Sequence, residues 1–180
     1  MLFRSMTVDV VDRVLRRIAA LVVDIIADAQ NVYNSAVQRE LISLKNIFAQ
    51  VIQDAGSERG IEVRAEVDDS VTLEADAGLL VSALGNLLQN AIKYTHDNES
   101  ITLRAISVDH AVSIEVEDHC GGLPDGSEEE LFQPFVTDGR GAGLGLAIAR
   151  RAVEAHGGTL SVRNLPGTGC VFAISIPTLH

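Results

Sequence analysis

Three short stretches of this chain bring together residue types that could hold a flat, charged ligand. The first is Asn86-Leu-Leu-Gln-Asn90-Ala-Ile-Lys93-Tyr94-Thr95. On a helix, at about 100° per residue, Asn86, Asn90, Lys93 and Tyr94 fall within about a third of the circumference. Leu80, Leu84, Leu87, Leu88 and Ala91 fall on the opposite arc. A carboxamide oxygen is a hard, neutral ligand for Mg²⁺, and a lysine ammonium is a point charge suited to phosphate. An ordinary surface helix is also polar on one side, so this segment alone leaves both readings open.

The second stretch is Val116-Glu117-Asp118-His119-Cys120-Gly121-Gly122-Leu123-Pro124. An acid at the end of an apolar strand, followed at once by glycines, brings a carboxylate to the mouth of a sheet where backbone can pass close to a ligand. Such a carboxylate can accept from the exocyclic amine that distinguishes adenine from guanine. Alone it is a weak signal, because many turns look similar. The third is Gly139-Arg140-Gly141-Ala-Gly143-Leu144-Gly145-Leu146, leading into a helix. Glycines there leave backbone N–H groups free to cradle an anion at the positive helix end. No Gly-x-Gly-x-x-Gly follows a parallel strand and no Gly-Lys-Ser/Thr occurs, so neither a dinucleotide fold nor a Walker A loop accounts for it.

The elements that must position these stretches are legible as periodicities. Apolar residues at Val8, Val11, Leu15, Ile18, Leu21 or Val22, and Ile25 predict an amphipathic helix to about Ala29. Residues 1–5, ahead of Met6, belong to no pattern and read as an artefactual start or a short tail. A second helix is predicted over about Ser43–Ala55, stopped by Gly56. Ile61, Val63, Ala65 and Val67 predict one apolar strand face. A long helix follows over about Ala77–Tyr94. Strands are expected over Ile101–Val108 and Ala111–Asp118, with a long loop over 121–141. A helix over Ala142–His156 and strands over Thr159–Arg163 and Cys170–Ile176 close the chain. Hairpins beside packed helices predict an α+β fold, a two-layer sandwich with helices on one face of a mixed sheet, preceded by the N-terminal amphipathic helix.

Composition narrows the partners. The 180 residues are 47% apolar and carry a net charge of −11, the profile of a globular domain. Residues 54–130 hold 18 acids against four bases, the wrong sign for a nucleic-acid surface. The longest uncharged apolar stretch near the N-terminus, Ile18–Val23, is far short of the ~20 residues of a membrane span. No secretory leader opens the chain, so a cytoplasmic location is expected, with room for a membrane-anchored parent. Cys120 and Cys170 stand fifty positions apart without metal-ligand spacing, and are expected as a reduced thiol pair.

In this order and spacing the stretches resemble the ATP-binding catalytic domain of sensor histidine kinases, in the superfamily shared with DNA gyrase and mismatch-repair ATPases. The resemblance covers roughly residues 36–177. Asn86–Thr95 looks like the family's N box, Asp118–Pro124 its first glycine box, Leu131-Phe-Gln-Pro-Phe135 its F box, and Gly141–Leu146 its second glycine box. Gly167-Thr-Gly169 before the last strand also fits. The resemblance implies a Bergerat-type sandwich that binds ATP or ADP with Mg²⁺. Asn90 would chelate Mg²⁺, Lys93 would meet phosphate, Tyr94 would cover the adenine and Asp118 would hold its amine. Gly122 would allow close approach, and residues 123–141 would form an ATP lid. Asn86, Arg140, Gly141, Gly143, Leu144 and Gly145 complete the expected ATP-binding set; no residue is assigned a catalytic role.

Two departures bear on mechanism. Cys120 stands where the family's box has its first glycine. None of the five histidines (His96, His110, His119, His156, His180) precedes the domain, where a phosphoacceptor is expected. Residues 6–35 therefore look like the second helix of a dimerisation hairpin, and residues 36–180 like the catalytic domain. The implied reaction is transfer of the ATP γ-phosphoryl group to a histidine outside this chain. The implied partners are a histidine-bearing helix and a response regulator, with homodimerisation left open. The alternatives are an anti-sigma-type serine kinase, an ATP hydrolase, or a nucleotide-binding pseudokinase acting as an interaction module. Enzymes of this fold that activate water or serine carry a glutamate one turn before the chelating asparagine; here Asn86 stands there and cannot act as a general base.

Overall fold

The computed structural model describes residues 37–56, 59–123, 128–136 and 143–178. The helix expected over residues 8–29, and the boundary at residue 35, lie outside them.

Strand Glu40–Ser43 (β1) opens the described chain and leads directly into helix Leu44–Ala55 (α1). Strands Glu62–Val67 (β2) and Thr72–Ala75 (β3) precede helix Ala77–Tyr94 (α2). The hairpin Ser100–Val108 (β4) and Ala111–Glu117 (β5) follows. A 3₁₀ turn, Glu128–Phe132, comes before helix Gly145–Glu154 (α3). The hairpin Thr159–Leu165 (β6) and Gly169–Pro177 (β7) closes the fold. Five strands form one mixed sheet in the order β2-β4-β5-β7-β6, with only the β2–β4 pair parallel.

The core follows from period-2 alternation read across paired strands. Leu103, Val116, Phe172 and Val162 form one row across four strands, and Ala105, Ile114, Ile174 and Leu160 the next. All eight are buried. The facing layer is supplied by α2, whose Leu80, Ala83, Leu84, Leu87, Leu88 and Ala91 are buried, as its 3.6-residue period requires. Burying each large member contributes about 1.5–3 kcal/mol relative to exposure. On the far face, Arg104 stands among Glu66 at 2.9 Å, Glu115 at 3.3 Å and Glu117 at 3.6 Å, so opposite charges pair across three strands.

Within the described residues the helix and hairpin expectations hold to within a few residues; three features differ. β1 and β3 were not foreseen. They pair antiparallel as a separate two-stranded sheet, Glu40 opposite Ala75 and Ser43 opposite Thr72. The expected apolar face of β2 weakens along its length: Ile61 is buried, Val63 and Val67 are half-buried, and Ala65 is exposed. β2 is an edge strand, so nothing forces each inward position to be covered. Within the expected loop 121–141 the 3₁₀ turn is anchored by buried Phe132, whose ring meets Phe172 edge-on at 6.3 Å.

Candidate nucleotide-binding site

Asp118 continues the alternation of β5. Val112, Ile114 and Val116 point into the core, and Asp118, next in that sequence, is a carboxylate only 1% exposed. A buried carboxylate must be hydrogen-bonded. Oδ1 accepts from the backbone N–H of Cys120 and of Cys170, both at 3.1 Å, and Oδ2 accepts from the Cys170 thiol at 3.1 Å. The Asp118 N–H donates to the Cys170 carbonyl at 3.0 Å, extending the β5–β7 ladder by one residue. The carboxylate is thus fixed through Oδ1, and Oδ2 carries the weaker thiol partner.

The loop after Asp118 is tied to the C-terminal end of α2, which carries the N-box residues. The His96 N–H donates to the His119 carbonyl at 3.2 Å, and His119 Nδ1 lies 2.6 Å from the Ser100 carbonyl. Arg59 caps the same end of α2: its guanidinium donates to the Ile92 carbonyl at 3.0 Å and the Thr95 carbonyl at 2.8 Å. Its Nε reaches Asp97 at 2.6 Å. A cation on the last carbonyls of a helix is a favourable C-terminal partner. Sequence reasoning missed Arg59, because the contact spans more than thirty residues.

Asn86, Asn90, Lys93 and Tyr94 are all half-buried on the polar side of α2. Lys93 Nζ lies 4.5 Å from the Tyr94 ring centroid, a cation–π contact. Asn86 Nδ2 donates to the Ser82 carbonyl at 2.8 Å. A Cβ added to Gly145 would lie 3.0 Å from Asn86 Oδ1, so the first residue of α3 rests against the N box. Leu144, the N-cap of α3, is half-buried and supplies no side-chain hydrogen bond to the first-turn N–H groups. Such a helix start can receive an anion.

Gly143 has φ of +68°, and a Cβ there would fall 2.7 Å from the Val136 carbonyl oxygen. The Phe135 N–H donates to the Gly143 carbonyl at 2.8 Å, so residues 135 and 143 meet on either side of segment 137–142. Arg140 and Gly141 belong to that segment, outside the described residues. At Gly122, φ is +104° and a Cβ would lie 3.1 Å from Asn164 Oδ1 and 3.2 Å from Pro166 Cα. The close approach seen there is to the chain's own β6–β7 turn.

Cys120 and Cys170, fifty residues apart in sequence, lie with their sulfurs 3.8 Å apart. Both are free thiols. Burial, with the Asp118 carboxylate beside it, pushes each thiol above the ordinary thiol range. No helix among the described residues is long and apolar enough to cross a membrane.

Comparison with known proteins identifies the family. The family model described as histidine kinase-, DNA gyrase B-, and HSP90-like ATPase matches residues 75–180. The sensor protein KdpD of Mycobacterium tuberculosis is 40% identical over 146 residues, spanning 78% of this chain and 16% of that protein. The sensor histidine kinase CusS of Escherichia coli is 34% identical over 176 residues, spanning 91% of this chain and 36% of that protein. The chain therefore spans well under half the length of these relatives. Among solved structures, full-length ShkA in complex with AMPPNP superposes with a TM-score of 0.72 at 31% identity, covering 79% of this chain and 31% of that one. The mycobacterial sensor histidine kinase MprB superposes at 0.71 with 25% identity, covering 77% and 97%. The chain thus belongs to the histidine kinase-, DNA gyrase B- and HSP90-like ATPase family, and carries the ATP-binding catalytic domain of a sensor histidine kinase.

Proposed function

We propose that this domain binds ATP with Mg²⁺ and transfers the γ-phosphoryl group to a histidine on a helix that this chain does not supply. The single observation that carries the reading is the position of Asp118, a buried carboxylate fixed by two backbone N–H groups at the end of an apolar strand. Its Oδ2 would accept from the adenine amine, and Tyr94 would cover the ring. Asn90 would hold Mg²⁺ through its carboxamide oxygen, Lys93 would meet phosphate, and the start of α3 at Leu144 and Gly145 would cradle the phosphate chain. Arg140, Gly141 and Gly143 belong to the same proposed set. The hard oxygen of Asn90, the point charge of Lys93 and the first-turn N–H groups of α3 suit these three tasks. Bound Mg²⁺ supplies charge neutralisation on the phosphates; positioning is the protein's share, since a largely dissociative transfer requires little covalent help.

Asn86 favours this reading over hydrolysis or serine phosphorylation. Its Nδ2 is engaged with the Ser82 carbonyl, and a carboxamide takes no proton from water or a hydroxyl. The proposed partners are a histidine-bearing helical hairpin and, downstream, a response regulator; residues 6–35 are proposed as part of that hairpin.

The test is calorimetry with ATP in the presence and absence of Mg²⁺, followed by transfer of labelled phosphate to an added histidine-bearing hairpin. Metal-dependent binding lost in Asn90→Ala, with acid-labile label on the hairpin alone, supports the proposal. Acid-stable label on serine would replace it with the serine-kinase reading.

A further inference from the structure

The sulfurs of Cys120 and Cys170 and the carboxylate of Asp118 each offer one ligand atom, and these atoms lie within 4.8 Å of one another. The sulfur–sulfur separation, 3.8 Å, equals the edge of a tetrahedron about a metal with Zn–S bonds of about 2.3 Å, roughly 3.8 Å. The carboxylate is oriented from behind: two backbone N–H groups hold Oδ1 and leave Oδ2 on the sulfur side, 3.1 Å from Cys170 Sγ. Backbone donors that fix a ligand's second atom set its direction in a metal site. Asp118 and Cys170 are each 1% exposed, whereas Cys120 is half-buried, so of the three ligands it is Cys120 that meets solvent.

We propose that Asp118, Cys120 and Cys170 form a site for a thiophilic divalent cation of the zinc and cadmium class. Two thiolates and one carboxylate select such ions over Mg²⁺, which demands six oxygen ligands in near-octahedral geometry. The site is therefore chemically separate from any Mg²⁺ carried by nucleotide. On binding, each thiol loses its proton to solvent and each sulfur donates an electron pair to the metal, so one ion releases two protons. Burial and the adjoining Asp118 carboxylate keep both thiols protonated in the free protein. One consequence rests on the function proposed above: an ion that takes Asp118 Oδ2 removes the acceptor for the adenine amine. Occupancy would then shut the domain off from nucleotide.

The experiment uses the full chain, reduced with a phosphine, titrated with Cd²⁺ and read by the ultraviolet thiolate-to-cadmium charge-transfer band, which histidine or carboxylate binding does not produce. We expect saturation at one equivalent, and about tenfold or greater weakening in Cys120→Gly from loss of one of three ligands. Cys170→Ser should weaken it similarly; should that buried substitution unfold the chain, Cys120→Gly and Cys120→Ser decide. No saturable band, or equal affinity in native and Cys120→Gly chains, overturns the site. In a second arm, one equivalent of Cd²⁺ should weaken ATP binding to the native chain about tenfold or more, and leave Cys120→Gly little changed. Equal weakening in both would mean that cadmium acts on the nucleotide, and overturns the consequence. Failure of the native chain to bind ATP without cadmium would refute the nucleotide reading, while the absorbance arm still decides the metal site.

Discussion

Gly169 lies against the backbone of Asp118 so closely that a Cβ at position 169 would stand 1.8 Å from the Asp118 carbonyl oxygen. The same Cβ would fall 3.0 Å from His119 Cα. The three nearest atoms are all backbone, so relief cannot come from the swing of a flexible side chain. Gly169→Ala should therefore push β7 from the end of β5 and lower stability by about 3 kcal/mol, the upper part of the usual overpacking range. Chemical denaturation should show the lower midpoint, with reduced ATP affinity in the fraction that folds. An unchanged midpoint would mean that the two strand ends do not meet as described.

Asp118 itself has two separable functions. Its Oδ1 satisfies the buried N–H of Cys170 and the part-buried N–H of Cys120. Asp118→Ala should cost about 1–3 kcal/mol on that account, chiefly from the orphaned Cys170 donor. Asp118→Asn keeps an oxygen for those donors and should fold nearly as well, but presents an amide N–H₂ where the adenine amine needs an acceptor. Preference for ATP over GTP, compared by calorimetry, should fall in the Asn variant. Retained preference would assign adenine recognition elsewhere.

Strong local periodicity made most of the fold legible. The apolar arc of α2 and the alternation of β4, β5 and β7 each repeat several times, and each repeat is enforced by burial in the same core. What escaped was either short or non-local. β3, with alternating Leu73 and Ala75, is four residues long, and its partner β1 lies some thirty residues earlier in the chain. Asp118 was readable because an acid interrupts an apolar alternation. Its contact with Cys170 was not, because the β5–β7 register that joins them is set by the whole sheet. Buried His156 escaped for the same reason: its Nε2 accepts from the Asp76 N–H at 2.9 Å, eighty residues away, at the N-cap of α2.

Arg59 offers a test of how the far end of α2 is held. It donates to three terminal carbonyls, those of Ile92, Lys93 and Thr95, and pairs with Asp97, but it is exposed, so solvent screens much of the charge. Arg59→Ala should lower stability by about 1 kcal/mol. Arg59→Lys should recover only part, since one ammonium cannot span three carbonyls and a carboxylate in a fixed fork. Amide hydrogen exchange should show the loss concentrated in the last turn of α2, around Lys93 and Tyr94. Uniform protection along α2 in Arg59→Ala would show that the arginine does not stabilise this end.

Cys120 and Cys170 should differ in reactivity although their sulfurs adjoin. Thiolate is the reacting species, and both thiols are raised by burial first and by Asp118 with it. A raised thiol keeps its proton as pH climbs through the ordinary thiol range. Alkylation of Cys120 should therefore be slow at neutral pH and still accelerating where a free thiol has levelled off. Cys170, 1% exposed in β7, should stay silent throughout. Nucleotide bound at Asp118 should cover the half-buried Cys120 and slow its labelling further, whereas unfolding should make the two cysteines equal. Peptide mass spectrometry after timed alkylation at several pH values, with and without ATP or ADP, reads all of these at once. Labelling of Cys120 that levels off at the pH of a free thiol would show that neither burial nor the Asp118 charge acts on it. Labelling unaffected by nucleotide would place its sulfur outside the binding site.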